Sequence, residues 1–174
     1  MKWSQLKKRI EATFADSVRG RVQVWNTRYR RSHDQEGEGW ITIDKKRVYS
    51  MGTYTYFVES HREAERLQRE RGCTDFRNPH QAPGYYKAWE EAEQFVHDKG
   101  IHPLWELNAA LFAYLNMSID RIASSENPII RAFGMLDRRF GKRRLAALDV
   151  REEPPLVRLL YEFRLEAEHM VEHR

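Results

Sequence analysis

The stretch NPIIRAFGMLDRRFGKRRL, residues 127–145, decides how the C-terminal half of this chain folds. Asn127 is a favourable N-cap, and Pro128 suits the first helical position, where its missing N–H costs nothing. Ile129, Phe133, Leu136 and Phe140 recur at three- and four-residue spacing and make one apolar stripe. At about 100° per residue, Arg131, Arg138 and Lys142 fall on the opposite face. Gly141 can close the helix, in which case Lys142 opens a basic loop with Arg143 and Arg144. Either way, one side of the segment is built for a core and the other is cationic.

Around that stretch, 174 residues suit one domain, or two small ones sharing a core. Hydrophobic residues at 41% and aromatic residues at 12% supply an interior and argue against disorder. Charged residues at 32% and a mean hydropathy of -0.79 imply a well-solvated exterior. No run approaches the length of apolar sequence that a membrane helix needs, so no membrane association is expected. The opening MKWSQ leads into an amphipathic pattern and lacks the apolar core of a signal peptide, so a cytoplasmic location is expected. The single Cys73 forms no internal disulfide and offers no cysteine pair to zinc, and no cofactor or metal is expected.

Charge is unevenly placed. Residues 1–51 carry twelve Lys/Arg against six Asp/Glu, and residues 127–151 carry seven against two. The intervening and final segments lean acidic, so the basic character sits in two blocks. A pI near 9.2 with a net charge of only +4 makes an acidic partner reasonable without a polyanion-binding signature.

Along the chain, Trp3, Leu6, Ile10 and Phe14 predict a helix over residues 4–14. Residues 21–30 alternate with period two and read as a strand. The polar, Gly-punctuated 31–39 reads as a loop, followed by strands at 40–43 and 47–50 around Asp44, Lys45 and Lys46. The β-prone 53–58 can extend the sheet, which makes three or four strands in all. Ser60 to Glu63 spells a capping box that starts a charged helix ending at Gly72, and residues 73–84 form an irregular connection. Thereafter everything reads as helical: a helix holding Tyr85, Trp89, Ala92 and Val96, then a very apolar one after Pro103, then a short one after Ser118. In the last helix, Leu156, Leu160, Phe163, Ala167 and Met170 keep a seven-residue rhythm that can seal the bundle or a dimer interface. The expected fold class is α+β: an N-terminal helix and small antiparallel sheet (1–72), the connection (73–84), and a C-terminal helical bundle (85–174), co-folded as one unit.

Several constellations bear on chemistry. Arg131, Arg138, Arg139, Lys142, Arg143 and Arg144 can contact phosphate, since guanidinium groups grip its oxygens bidentately; a solvated face with acidic neighbours such as Asp137 explains them equally. Arg28, Arg30 and Arg31 around Tyr29 could bind a nucleic-acid backbone, or simply charge an edge strand. His33, Asp34, Glu36 and Glu38 carry metal-ligand chemistry in what otherwise reads as a hairpin tip. Asp44 and Lys46 spell half of a nuclease-type metal motif, with Asp34 or Glu36 as the partner acid. Cys73, with His61 or His80 near in sequence, is a weak nucleophile pattern. His97, His102, His169 and His173 read as surface or capping residues. No Gly-rich phosphate loop, G-x-S-x-G or HExxH motif is present in the sequence.

The segments MKWSQLKKRIE, RGRV, TRYRRSHDQEGEGWITID and DRRFGKRRL together resemble a family of small uncharacterised bacterial proteins. The resemblance spans essentially the whole chain and implies a single co-folded unit, with no activity attached to any residue. NPIIRAFGML is also similar to the second helix of a HEAT repeat, which implies helix-pair packing.

The functional expectation is a non-enzymatic binding protein whose Arg-rich helix face contacts nucleic acid or an acidic protein. The alternatives are a protein–protein adaptor or regulator using its C-terminal helices and the charged 60–71 helix, with a specific partner or a homodimer, and a metal-dependent nuclease around Asp34, Glu36, Asp44 and Lys46.

Overall fold

Leu6, Ile10 and Phe14 are buried, and the helix they define, α1 (Trp3–Thr13), lies against the first strand of a three-stranded antiparallel sheet. A computed structural model describes residues 2–29 and 36–170. The strands β1 (Val22–Arg28), β2 (Gly37–Ile43) and β3 (Lys46–Gly52) pair in sequence order, with Val22 opposite Ile43 and Arg28 opposite Gly37. Val22, Val24, Ile41 and Met51 supply the buried face. The β2–β3 turn consists of Asp44 and Lys45, at φ 48° and 69°. These left-handed values suit the strand twist but normally call for Asn-Gly or Asp-Gly. Arg21, just before β1, holds the turn: its Nε and Nη2 donate to the two Asp44 carboxylate oxygens at 3.0 and 2.7 Å.

Two expectations about this region are corrected. The β-prone 53–58 is helical, the first turns of α2 (Thr53–Arg71), which closes at Gly72 with φ 64°. Tyr56, Ser60, Ala64 and Gln68 recur every fourth residue and are buried, so burial of one helical face overrides local β-propensity. Ser60, expected as a cap, lies inside the helix. Likewise residues 37–39 are strand, not loop. Their glycines mark a close approach: a Cβ on Gly37 would stand 2.2 Å from the Thr27 carbonyl oxygen and 2.7 Å from Leu104 Cδ2. One on Gly39 would stand 2.4 Å from Leu107 Cδ2.

Those leucines belong to α4 (Leu104–Tyr114), which buries Leu104, Leu107, Leu111 and Tyr114 and touches α1, β2 and β3. Before it, α2 pairs with α3 (Ala82–Asp98), and Ala64, Ala88, Ala92 and Val96 are buried. These four stand outside the main hydrophobic cluster, which draws on α1, the sheet, α4 and the C-terminal helices. After the short α5 (Ile119–Ala123) comes α6 (Pro128–Leu136), packed on α4 and on α8 (Pro155–Ala167). Asn127 caps α6 as expected, its Oδ1 accepting from the Ile129 and Ile130 amides at 2.9 and 3.2 Å. Leu156, Leu160 and Phe163 of α8 are buried in the same cluster, so that stripe seals the bundle.

The opening stretch is not one long helix. It stops at Leu136, where Asp137 turns extended at φ -68° and ψ 132° and bridges Phe14. The Ala15 amide donates to the Leu136 carbonyl at 2.8 Å, and the Arg138 amide to the Thr13 carbonyl at 2.9 Å. Phe140 is buried and a single turn of helix, α7 (Lys142–Ala146), follows Gly141. Arg138 and Lys142 therefore do not continue the face that carries Arg131.

Two substitutions test this account by chemical denaturation. Gly37→Ala should cost about 1–3 kcal/mol because its new methyl meets backbone, and Gly39→Ala should cost less because a leucine end can shift. Lys45→Gly should stabilise the protein by about 0.5–1 kcal/mol by relieving a left-handed non-glycine residue. A destabilised Lys45→Gly, or a neutral Gly37→Ala, would contradict the geometry described.

Candidate functional site

The expected basic cluster is largely engaged by acids of the same chain. Arg131 donates from Nε and Nη2 to Glu153 Oε2 at 3.1 and 2.8 Å, and from Nη1 to the Ser125 carbonyl. Arg139 pairs with Asp137, Lys142 with Glu168 at 3.1 Å, and Arg144 with Asp120 at 2.7 Å. Arg138 and Arg143 are exposed and have no side-chain partner among the described residues. Arg28 is exposed at the end of β1, while Arg30, Arg31, His33 and Asp34 lie outside the described residues. Arg28 and Arg138 do not meet: Arg28 shares a cleft with Trp3, and Arg138 is hydrogen-bonded beside Thr13. These are opposite ends of α1, an 11-residue helix about 16 Å long.

Asp137 is the most constrained of these groups. Its carboxylate is fully buried and accepts from the Arg139 guanidinium at 2.6 Å, the Arg139 amide at 2.8 Å and the Tyr114 hydroxyl at 2.5 Å. The Tyr114 oxygen is also 2.9 Å from Thr13 Oγ1. Burial alone would raise the Asp137 pKa, but the hydrogen bonds from Arg139 and Tyr114 outweigh it and hold the carboxyl below its ordinary value. Burial and the neighbouring carboxylate push the Tyr114 hydroxyl well up.

A cleft of about 690 Å³ opens between the start of α1, the end of β1 and one face of α4. Trp3, Asn26, Arg28, Trp105, Asn108 and Phe112 line it. Phe112 is 55% exposed, and Asn26 Nδ2 donates to Asn108 Oδ1 at 2.6 Å. Trp105 continues an aromatic row: its ring lies 5.6 Å from Phe57, Phe57 6.4 Å from His61, and His61 4.6 Å from Trp89. Aromatic faces beside a guanidinium, with paired amides between, can take planar rings and a phosphate or carboxylate. Sequence reasoning named Arg28 but gave it to Tyr29; its cleft partners come from α1 and α4, and no spacing links them.

The remaining candidates fare differently. Glu36 precedes β2 and Asp44 follows it, a seven-residue strand of about 23 Å, so these two acids share no site. Asp44 is instead committed to Arg21. Cys73 is buried, and His61 Nδ1 is bonded to the Phe57 carbonyl at 2.8 Å, 4.6 Å from the Trp89 ring. His102, expected at the surface, is 3% exposed, and with His97 it grips Glu106. The signal available in sequence was three such residues within ten, straddling a helix–helix corner at Gly100 and Pro103. His173 lies outside the described residues.

The family model of the SF0329 protein family matches residues 2–165. The chain belongs to that family. No curated protein and no solved structure matches it. Membership of the SF0329 family agrees with the resemblance read from sequence and assigns no role to any residue. No described helix is long and apolar enough to cross a membrane.

The Asp137 geometry has a pH signature. A carboxyl with a lowered folded pKa contributes stability above its ordinary value of 3.8 and loses it as pH falls through the folded value. Asp137→Asn should therefore lower stability at pH 7 by about 2–3 kcal/mol, with the deficit shrinking toward strong acid. Thermal melts of both proteins between pH 7 and pH 2 check this; a deficit independent of pH would refute the assignment.

Proposed function

We propose that this is a non-enzymatic binding protein that holds a short single-stranded stretch of nucleic acid in the cleft between α1, β1 and α4. Bases stack on Trp105, Phe112 and Trp3, and Arg28 receives a backbone phosphate. The observation that carries this reading is that Arg28 lines one cleft with three aromatic rings, Trp3, Trp105 and Phe112. Base–aromatic stacking is sequence-tolerant and contributes about 1–3 kcal/mol per base, so a site of this kind needs few cations. The paired amides of Asn26 and Asn108 add hydrogen-bonding groups between the rings. Residues 1–51, which carry an excess of Lys/Arg over Asp/Glu, supply Trp3, Asn26 and Arg28 to the cleft wall.

The Arg-rich segment takes a lesser part in this reading than its composition suggests. Arg131, Arg139, Lys142 and Arg144 serve internal acids, so Arg138 and Arg143 are left for an outside anion. They stand away from the cleft and make only a general electrostatic contribution.

Fluorescence anisotropy with a labelled single-stranded oligonucleotide of about ten residues tests the proposal. Binding at low salt should weaken on raising salt with a shallow slope, because few phosphates are neutralised. Trp105→Ala should weaken it roughly 5–100-fold, the range of one lost stack. Arg28→Ala should weaken binding and flatten the salt dependence, whereas Arg144→Ala should change little. Absence of binding at low salt, or an effect of Arg144→Ala equal to that of Arg28→Ala, would overturn the reading.

A further inference from the structure

Away from the cleft, at the corner where α3 gives way to α4, three side chains with ligand atoms converge. His97 lies in the last turn of α3, His102 in the connection just before α4, and Glu106 in the first turn of α4. His97 Nε2 is 2.8 Å from Glu106 Oε1, and His102 Nδ1 is 2.9 Å from Glu106 Oε2. The two imidazoles stack with centroids 5.1 Å apart and planes 26° from parallel, each bonded to a different oxygen of the one carboxylate. One ligand atom from each residue lies within 4.8 Å of those of the other two.

We propose that His97, His102 and Glu106 form a binding site for a divalent transition-metal ion, with zinc as the ion that the donors favour. Two imidazole nitrogens and one carboxylate oxygen suit zinc and its neighbours, while calcium and magnesium would ask for more oxygens. Metal–ligand bonds of about 2.0–2.1 Å place tetrahedral ligands about 3.3 Å apart, so the short N···O contact of 2.8 Å opens by about half an ångström, while the separations among the three ligand atoms, all within 4.8 Å, draw in to admit the ion.

The surroundings also favour a cation. A cavity of about 540 Å³ borders the three residues, and its wall carries Asp98 and Glu126. Its arginine, Arg131, is neutralised by Glu153. Three protein ligands facing such a cavity leave the fourth position to water or to one of these acids. The ligands are also held in place: His102 is buried, and the Tyr56 ring of α2 lies 5.4 Å from the His97 ring. An ion here ties the end of α3 to the start of α4 and so fastens the α2–α3 pair to the rest of the molecule.

The test is a calorimetric titration of zinc chloride into chelator-treated full-length protein, with thermal melts alongside. One equivalent should bind and raise the melting temperature, and magnesium should not compete. Because His102 is buried, His97→Gln and Glu106→Gln are the informative variants, each first shown to fold by circular dichroism. Each should weaken zinc by more than the roughly 10–100-fold typical of losing an outer partner of a metal ligand. His61→Gln, whose ring is engaged with Phe57 and Trp89, should bind zinc as the parent does. Failure of the parent to bind one equivalent, unchanged affinity in both ligand variants, or equal loss in His61→Gln would overturn the proposal. None of these outcomes depends on nucleic-acid binding.

Discussion

The hydrogen bonds around Asp137 hold this fold at its centre. A buried carboxylate costs several kcal/mol to desolvate unless donors surround it. Here the donors come from Tyr114 of α4 and from Arg139 immediately downstream. The backbone on either side pairs with the end of α1 through the Ala15–Leu136 and Arg138–Thr13 hydrogen bonds. Arg164 of α8, itself 3% exposed, donates to the Leu136 carbonyl at 3.0 Å. Three helices distant in sequence are thus fixed relative to one another by polar groups with narrow geometry, and the apolar core fills in around them. Apolar burial drives collapse but tolerates many arrangements; the carboxylate admits few.

That arrangement explains what could be read from sequence and what could not. Amphipathic stripes were legible because they are local: Leu6 and Ile10, Ile129 and Phe133, Leu156 and Leu160 are all buried where periodicity puts them. The Asn127 cap was legible for the same reason. The helix end at Leu136 was not, because the stop signal that the sequence offers, Gly141, lies five residues further on. Asp137 leaves the helix to meet Tyr114 and to bridge Phe14, which are remote in the chain. Gly37 and Gly39 misled in a related way. Glycine in a polar stretch reads as a turn, and only α4 lying across β2 shows that it makes room. Residues 53–58 carried a strand's composition but a helix's burial, with Tyr56 four residues from Ser60. The aromatic cleft stayed hidden because its parts come from α1, β1 and α4, and the histidine pair because buried and exposed imidazoles look alike in sequence.

The distribution of charge follows from the same constraint. A run of arginines invites a reading as a surface for polyanions, yet here arginine does what its planar fork suits it to do inside a protein. Arg139 satisfies a buried carboxylate, Arg131 joins the start of α6 to Glu153 ahead of α8, and Arg21 braces a left-handed turn. Exposed pairs of this sort contribute little each, but the half-buried ones fix geometry that apolar contacts leave open. The net charge of +4 is therefore a poor guide to binding, and the uncommitted cations matter more than the total.

Both candidate sites depend on α4, and on adjacent residues of its first turns. Trp105, Asn108 and Phe112 face the cleft, while Glu106, one residue on, turns about 100° away toward His97 and His102. The third face, Leu104, Leu107 and Leu111, is buried, with Leu104 and Leu107 against the glycines of β2. Side chains of α2 reach the same segment, for Tyr56 and Phe57 flank Trp105, and Thr53 Oγ1 accepts from the Leu104 amide. A shift of the α2–α3 pair would therefore move the aromatic row and the histidine cluster together. An ion that fixed the α3–α4 corner would also fix Trp105, so the two sites are mechanically joined through one helix even though their ligands share no chemistry.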